Sequence, residues 1–563
     1  MSDSLAPRPA AMAGRGFMFG LPDPWRGGVV AVALLLALPV LTVFSAVFLP
    51  VGEVWQHLVD TVLADYVVNS LVLMVGVAFG VLSIGVTCAW LTANCHFPGR
   101  RLFEWALLLP LAIPAYIIAY TYTGMLDYPG PVQTALREWT GWGYGDYWFP
   151  EIRSLGGAVA MLSLVLYPYV YLLARAAFLE QSLLSLEAGR ILGAGPWARL
   201  WHISLPAARP AIIAGLSLAL METLADYGTV QYFGVATFTT GIFRTWYGLG
   251  DSGAAAQLAS LMMLFVFALI LTERWSRRQA RYHAGARSKP LPRRVLTGWQ
   301  AWLATVACAM PLLLGFVLPV GQLVAWAART LESTVADPFP ELVLNTLGLA
   351  ITAALLALML ALFMAYGRRL RGGVVVGGAV RIAALGYAIP GTVIAVGVLI
   401  PFGWLDNAID AWARDTLGFS TGLLLSGTLF ALLFAYMVRF LAVSLQTVEA
   451  GLERVKPMMD ESARTLGLTP GRVLARVHLP VLRGSLLTAI LLVFVDVMKE
   501  LPATLILRPF NFNTLAVRAY ELASDERLAE AAGPAIAIVL AGIVPVILLS
   551  RSIARSRGST EVH

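Results

Sequence analysis

Long runs of apolar residues, separated by short polar stretches, follow one another along the chain from residue 27 onward. A helix that crosses about 30 Å of hydrocarbon needs about 20 apolar residues. Runs of this length predict twelve membrane-spanning helices, at residues 27–50, 67–93, 103–124, 157–178, 210–234, 254–272, 300–327, 342–366, 374–402, 423–446, 484–507 and 533–550. The pattern therefore predicts an all-α polytopic membrane protein. Its first run is expected to be retained, because no small-residue cleavage site follows it.

Lysine and arginine gather in alternate loops, and this asymmetry predicts an orientation. The basic segments contain Arg100 and Arg101, Arg190 and Arg199, eight basic residues between positions 274 and 294, Arg368 and Arg369, Arg454 and Lys456, and Arg551 and Arg555. The intervening loops carry acids such as Asp127, Asp146 and Asp406. Because short loops rich in Lys and Arg stay in the cytoplasm, both termini are expected to be cytoplasmic.

Composition supports a membrane protein and excludes several chemistries. Hydrophobic residues make up 58% of the 563 residues and charged residues only 13%, with a mean hydropathy of +0.75, whereas soluble domains are about 25% charged. The three cysteines form no CxxC pair, so neither a disulfide framework nor a zinc site is indicated. No lysine follows a glycine, which excludes a Walker A loop. The net charge of +7 is explained by the basic loops, so no nucleic-acid partner is expected.

An internal repeat divides the chain into two halves. Residues 69–71 (Asn-Ser-Leu) return 276 residues later as 345–347 (Asn-Thr-Leu), and Ala-Ile-Pro at 112–114 returns at 388–390. Each half has six predicted spans, an even number, so the halves have the same orientation and form parallel repeats about an axis along the membrane normal. A transport pathway is expected along that axis.

The repeat and the charge pattern predict five segments. They are an N-terminal cytoplasmic tail at 1–26, a first six-helix half at 27–272, a basic cytoplasmic linker at 273–299, a second six-helix half at 300–550 and a C-terminal cytoplasmic tail at 551–563. A single chain thus supplies both halves of the predicted membrane unit.

One motif occurs in the longest cytoplasmic loop of each half. The first copy contains Glu187, Ala188, Gly193, Leu205 and Pro206, and the second contains Glu461, Ala463, Gly467, Leu479 and Pro480. In both copies the glycine lies six positions after the glutamate, and the proline lies thirteen positions after the glycine. The spacing predicts a short helix that ends at a glycine with positive φ, then a second short helix, and then a break at the proline.

This spacing resembles the EAA loop of permease subunits in binding-protein-dependent ABC importers. Gly189 and Ser462 replace alanines of the motif, and Val477 replaces its isoleucine. The resemblance implies a type I importer permease fold whose two loops dock into two copies of a cytoplasmic ATPase subunit, with Glu187 and Glu461 holding the docking helices. It also implies a periplasmic binding protein as partner, with ATP and magnesium bound by the ATPases and no cofactor in this chain.

Carboxylates inside the predicted membrane segments form a second constellation. Glu222 and Asp226 lie four residues apart in the fifth run, so they are predicted to share one helix face. Asp496 and Glu500 repeat them 274 residues later in the eleventh. Lys499 and Arg508 are the candidate partners in the second half. Intramembrane acids usually face a bundle interior or a wet cavity. Two interpretations stay open: the carboxylates either line a pathway or gate that favours cations, or they cap helix ends and pair across the interface between the halves.

Prolines interrupt the third and ninth runs at equivalent positions. Pro114 and Pro390 free backbone carbonyls and bend their helices. The bends are interpreted either as flexing, pathway-lining elements with tyrosine oxygens nearby or as static packing kinks. No metal ligand set is assigned.

The sequence around the carboxylates resembles that of the fused two-half ferric-iron permease family. Residues 223–230 (TLADYGTV), 499–504 (KELPAT), 508–512 (RPFNF) and 522–527 (LASDER) carry this resemblance. It implies transport of Fe³⁺ across the bacterial inner (plasma) membrane. Thiamine or another small cation stays open as an alternative cargo. A proton-coupled secondary transporter is the rival class, and paired docking loops argue against it.

Overall fold

The computed structural model describes residues 24–50, 52–143, 145–180, 195–279, 293–330 and 339–558. Within these ranges the chain is almost wholly helical. The strands β1 (Cys95–His96) and β2 (Arg294–Val295) pair in parallel, and they join the end of a first-half helix to the segment that leads into the second half. The predicted all-α architecture is confirmed.

Helices of the first half vary from single turns to long spans. They are α1 (Pro24–Ser45), α2 (Glu53–Thr61), α3 (Leu63–Asn94), α4 (Arg100–Ala106), α5 (Ala115–Leu126), α6 (Pro131–Thr140), α7 (Leu155–Glu180), α8 (Pro196–Arg199), α9 (Leu205–Ala225), α10 (Gly228–Tyr232), α11 (Phe238–Phe243) and α12 (Ser252–Gln279).

The second half repeats this order. Its helices are α13 (Trp299–Leu312), α14 (Leu318–Arg329), α15 (Phe339–Leu370), α16 (Val374–Ala383), α17 (Gly391–Leu417), α18 (Leu429–Glu453), α19 (Pro457–Thr465), α20 (Pro470–Val473), α21 (Leu479–Met498), α22 (Pro502–Leu507), α23 (Leu515–Ser524) and α24 (Leu528–Gly558). Single π-helical turns at Leu200–Ser204, Leu313–Val317 and Leu474–His478 join consecutive helices into continuous spans.

Eleven helices of the described chain are long and apolar enough to cross a membrane, and twelve if one bent pair counts as a span. The two members of this pair, Arg100–Ala112 and Ala115–Thr140, are bent by 91° at a break that consists of Ile113 and Pro114. The prediction of twelve spans agrees with this upper count. Apolar side chains on the outer faces, such as Phe79 (77% exposed) and Leu344 (70% exposed), are typical of a lipid-facing surface.

Three predicted runs differ most from the helices of the structure. The runs 210–234 and 484–507 extend too far, because the helices end at Ala225 and Met498. The run 374–402 starts and ends too early, because Pro390 has extended backbone (φ −56°, ψ 144°) and the span is Gly391–Leu417. Since proline lacks an N–H, it suits a helix start better than a helix interior.

Small residues let the helices approach closely. A Cβ placed on Gly80 of α3 would overlap the side chain of Ser163 of α7, and one on Gly85 would lie 2.8 Å from Cβ of Val170. Such contacts between small residues are typical of helix pairs in membranes, where no hydrophobic effect pulls the helices together. The small residues thereby let α3 and α7 pack closely along one face of each helix.

Candidate translocation cavity and coupling loop

The fifth span breaks at Asp226. The chain leaves the helix there (φ −66°, ψ 130°), and the carboxylate accepts hydrogen bonds from the backbone N–H groups of Thr229 (3.0 Å) and Val230 (3.2 Å) and from the Thr229 hydroxyl (3.0 Å). These bonds satisfy free N–H groups in the first turn of α10. The prediction that Asp226 shares a helix face with Glu222 is therefore wrong, because Asp226 lies beyond the end of the helix.

The second half repeats this geometry at Glu500. Its carboxylate accepts hydrogen bonds from the backbone N–H groups of Ala503 and Thr504, both at 2.9 Å, at the start of α22. The Thr504 hydroxyl also donates to the backbone carbonyl of Glu500 (3.0 Å) and is 2.6 Å from the hydroxyl of Tyr436. Glu500 is only 5% exposed. The capping interpretation thus describes Asp226 and Glu500, one residue in each half.

The two breaks meet across the interface between the halves. A Cβ on Gly228 of the first half would lie 2.9 Å from Cδ2 of Leu501 in the second and 2.7 Å from Cβ of Tyr116. This close approach allows no larger side chain without movement of a neighbour. The repeat therefore brings both broken helix ends to one place.

A cavity of about 120 Å³ lies at this meeting point. All four predicted carboxylates line it, together with Pro114 and two bases; the charged lining residues are Glu222, Asp226, Asp496, Glu500, Lys499 and Arg439. Capping and cavity lining are compatible, because Asp226 and Glu500 line the cavity although both oxygens of each carboxylate accept hydrogen bonds. Whether cargo touches these groups stays a prediction.

Ion pairs distribute the charge of the cavity unevenly. Nζ of Lys499 lies 2.9 Å from Oδ1 of Asp496, and Nη1 of Arg439 lies 3.6 Å from Oε1 of Glu500. Glu222 has neither a hydrogen bond nor an ion pair within the described ranges. Four acids and two bases leave an excess of negative charge, which favours cations.

Two predictions about neighbouring residues need correction. Arg508 pairs with Glu521 at 2.8 Å and does not line the cavity. Pro390 is not among the lining residues either, but the next residue contributes: a Cβ on Gly391 would overlap Nη1 of Arg439 and lie 2.8 Å from Oε1 of Glu500. The absence of a side chain at Gly391 is what lets this buried ion pair form.

Arg439 is the main residue of the site that the sequence analysis missed. It lies in the apolar helix α18 and is 9% exposed. A charged residue within a membrane run is a functional candidate by itself, and that signal was available. In the described part of the chain, no three His, Cys, Asp or Glu side chains are placed to hold one metal ion.

The second copy of the EAA-type motif is described, whereas Glu187, Ala188 and Gly193 of the first lie outside the described residues. The helix α19 ends beside Gly467, which has φ +80°, the conformation that the spacing predicts. Glu461 is exposed and therefore accessible to a partner, while Ala463 is buried. The arrangement is a helix, a left-handed glycine turn and a second helix.

The predicted break at the closing proline is wrong in both halves. Pro206 and Pro480 lie in the first turn of α9 and α21, and each follows Leu205 or Leu479 directly after a π-helical turn. The N–H that proline lacks is not needed there, and the wider turn absorbs the missing bond. The helix therefore runs without interruption from the loop into the membrane span.

Polar contacts attach the second loop to α15. Asp460 accepts a hydrogen bond from Nε of Arg369 (2.7 Å) and lies 2.6 Å from Nε2 of His478. Arg369 also donates to the carbonyl of Leu452 (2.6 Å), and the hydroxyl of Tyr366 donates to the carbonyl of Pro470 (2.8 Å). The loop is thus held at both of its helices.

Two repeated bundles, a charged cavity between them and a rigid loop at one end define a transport permease. Comparison with protein families agrees: the model described as binding-protein-dependent transport system inner membrane component matches residues 82–281 and again residues 357–557. The two matches cover most of the chain. The protein belongs to this family of ABC importer permeases.

Relatives of this chain differ in the cargo that their names give. The chain is 27% identical to the Fe(3+)-transport system permease protein FbpB 2 of Haemophilus influenzae, over 92% of this chain and 97% of that one. It is 29% identical to the molybdenum transport system permease protein ModB of Escherichia coli, over 41% of this chain and 96% of the relative. It is 26% identical to the sulfate transport system permease protein CysT of Synechococcus elongatus, over 45% of this chain and 92% of the relative.

Proposed function

We propose that this chain supplies both permease halves of an ATP-driven importer that moves ferric iron from a periplasmic binding protein to the cytoplasm by alternating access. The observation that carries the proposal is the full-length similarity to the Fe(3+) permease, which spans both halves. The relatives named for molybdenum and sulfate align with only about half of the chain.

The chemistry of the cavity favours the same cargo. Carboxylate and phenol oxygens suit hard cations, and four carboxylates line the cavity with Tyr116, Tyr169 and Tyr387. An oxyanion such as sulfate would meet like charge in that lining. Thiamine, a cation, stays the alternative, because negative charge alone does not distinguish an organic cation from a metal ion.

Energy is supplied by partners in this proposal. Each EAA-type loop would dock on one copy of a cytoplasmic ABC ATPase, which would bind ATP and magnesium. The exposed Glu461 and the turn at Gly467 would face that subunit. The chain itself would act as a non-catalytic transport subunit in the bacterial inner membrane, with both termini and both loops in the cytoplasm.

Cysteine labelling tests this orientation. In a background that lacks the three native cysteines, Arg464→Cys should resist an impermeant thiol reagent in intact cells, whereas Asp146→Cys should react; both positions are exposed. Arg464→Cys should become reactive once the membrane is permeabilised. The opposite pattern in intact cells would reverse the topology and contradict docking of the loops on a cytoplasmic ATPase.

Uptake of radioactive iron tests the cargo. In vesicles with the matching ATPase and binding protein, the wild type should accumulate ⁵⁵Fe only with ATP. The double substitution Glu222→Gln/Asp496→Asn should reduce that uptake about tenfold or more, because acidic clefts concentrate counter-ions by about 10 to 1,000-fold. These two residues are chosen because they make no capping hydrogen bonds in the described structure.

A matched control separates cavity charge from total charge. Asp60→Asn/Asp415→Asn removes two exposed acids, one from each half, and should leave uptake unchanged. ATPase subunits should copurify with every variant. ATP-dependent accumulation of thiamine without iron would replace the cargo, and uptake without any ATPase would instead favour a secondary transporter.

A further inference from the structure

The acids of the central cavity follow the internal repeat. Glu222 and Asp226 correspond to Asp496 and Glu500 at a constant offset of 274 residues, and all four line the cavity. Each half therefore contributes one carboxylate near a helix end and one that caps the next short helix. If only these repeated residues were charged, every charged side chain of the cavity would be a carboxylate.

The bases of the cavity break the repeat. At the same offset, Lys499 corresponds to Ala225 and Arg439 corresponds to Val165, and all four of these residues line the cavity. Both positive charges thus come from the second half, at places where the first half has small or apolar side chains. The four acids of the cavity thus follow the internal repeat, whereas the two basic residues occur only in the second half.

Lys499 pairs with one of the acids of the cavity. Its Nζ lies 2.9 Å from Oδ1 of Asp496 in its own half, and it interacts electrostatically with Glu222 of the other half. A second observation also indicates space for a ligand. The hydroxyl of Tyr116, a lining residue that is 5% exposed, has no hydrogen-bond partner within the described chain. A buried hydroxyl oxygen in the lining of the cavity is thereby left without a partner.

We propose that the ammonium group of Lys499 is a built-in counter-cation, which occupies the acidic cavity when cargo is absent and which a cationic cargo must displace. The proposal rests on the cation cargo proposed above and adds a residue that determines specificity. Desolvated carboxylates without a partner are costly, so the lysine stabilises the empty cavity.

The exchange discriminates between cations by charge. A singly charged cation that displaces the ammonium group is attracted to Asp496 and Glu222 about as strongly as the ammonium group was. A trivalent cation in the same place is attracted several times more strongly, because Coulomb energy is proportional to charge. Lys499 would therefore select a highly charged ion over an organic monocation. Removal of the lysine should make the site less selective and its affinity for metal higher.

Binding of Tb³⁺ tests this role without any transport assay. Tb³⁺ is a hard trivalent ion whose luminescence is sensitised by nearby tyrosines, and Tyr116, Tyr169 and Tyr387 line the cavity. The purified full-length permease in detergent is titrated with Tb³⁺. Lys499→Gln should bind at least about tenfold more tightly than the wild type, and Lys499→Arg, which keeps the charge, should bind like the wild type.

Matched variants identify the site. Lys456→Gln removes an exposed lysine and should change nothing. Adding Glu222→Gln and Asp496→Asn to Lys499→Gln should abolish the gain. If Lys499→Gln is not monodisperse, Lys499→Ala replaces it, since the first half has alanine at the equivalent position.

Two results would overturn the proposal: Tb³⁺ affinity that is unchanged by both neutral substitutions, or a gain that survives removal of the two carboxylates. Failure of iron uptake in the wild type would instead contradict the proposed cargo. The two failures are therefore distinguishable.

Discussion

Gly467→Val is expected to abolish ATP-driven uptake while leaving insertion into the membrane intact. Gly467 has φ +80° in the turn between the two helices of the loop, where a β-branched residue is a genuine outlier. No atom lies within 4 Å of a Cβ at this position, so the effect would come from backbone strain rather than from a steric clash. The turn would change shape and α19 would lose its angle to α20. Uptake in vesicles with the ATPase present measures the loss.

Gly378→Val is the matched control. Gly378 lies in the helix α16, where a Cβ would have no neighbour within 4 Å and the backbone has an ordinary helical conformation, so valine there should leave uptake close to normal. Gly193→Val makes the same change in the first copy of the motif, which lies outside the described residues. Normal ATP-driven uptake by the double variant Gly193→Val/Gly467→Val would refute the coupling role of both loops.

Glu500→Ala is expected to destabilise the whole bundle. The substitution removes the acceptor for two backbone N–H groups at the start of α22 and leaves Arg439 buried without its counter-charge. Removing one partner of a buried ion pair costs about 3–5 kcal/mol. The midpoint of thermal unfolding in detergent should fall markedly. Glu500→Gln should be intermediate, because an amide oxygen can still accept a hydrogen bond.

Glu521→Ala provides the comparison for that experiment. Glu521 pairs with Arg508 at 2.8 Å, but both side chains are 26–30% exposed. Partly solvated pairs of this kind contribute about 0–1 kcal/mol, so the unfolding midpoint should hardly change. Equal shifts for Glu500→Ala and Glu521→Ala would show that burial at the cavity does not determine the stability.

Hydropathy predicted the architecture well because a membrane permits few alternatives. Backbone groups in hydrocarbon must be satisfied within a helix or a closed barrel, so a long apolar run is nearly sufficient evidence for a span. The same signal placed the breaks wrongly. Apolar residues continue on both sides of Asp226 and Glu500, as at Ala225 and Leu501. Hydropathy averaged over a window therefore does not detect a single carboxylate that ends a helix and accepts hydrogen bonds from the following backbone N–H groups.

The repeat predicted which acids would meet, but it also concealed the bases. A search for residues that recur at a fixed offset finds Glu222 with Asp496 and passes over Arg439, because its counterpart is Val165. The ion pair with Glu500 requires the close packing of Gly391 against both side chains, a contact among three separate segments that no spacing along one helix encodes. The internal repeat therefore could not predict charged residues that occur in only one half, such as Arg439.

The uninterrupted helix from Pro470 to Met498 has a mechanical consequence. At about 1.5 Å per residue, its 29 residues form a rod roughly 43 Å long. The helix begins at Pro470, just after the turn at Gly467, and Asp496 lies within its last turn, close to Lys499. Because the helix is continuous through the π-helical turn and Pro480, tilting one end displaces the other as well. A tilt of the helix at the loop would therefore change the distance between the Asp496–Lys499 pair and Glu222 in the cavity. The helix would act as a lever that connects the loop directly to the cavity.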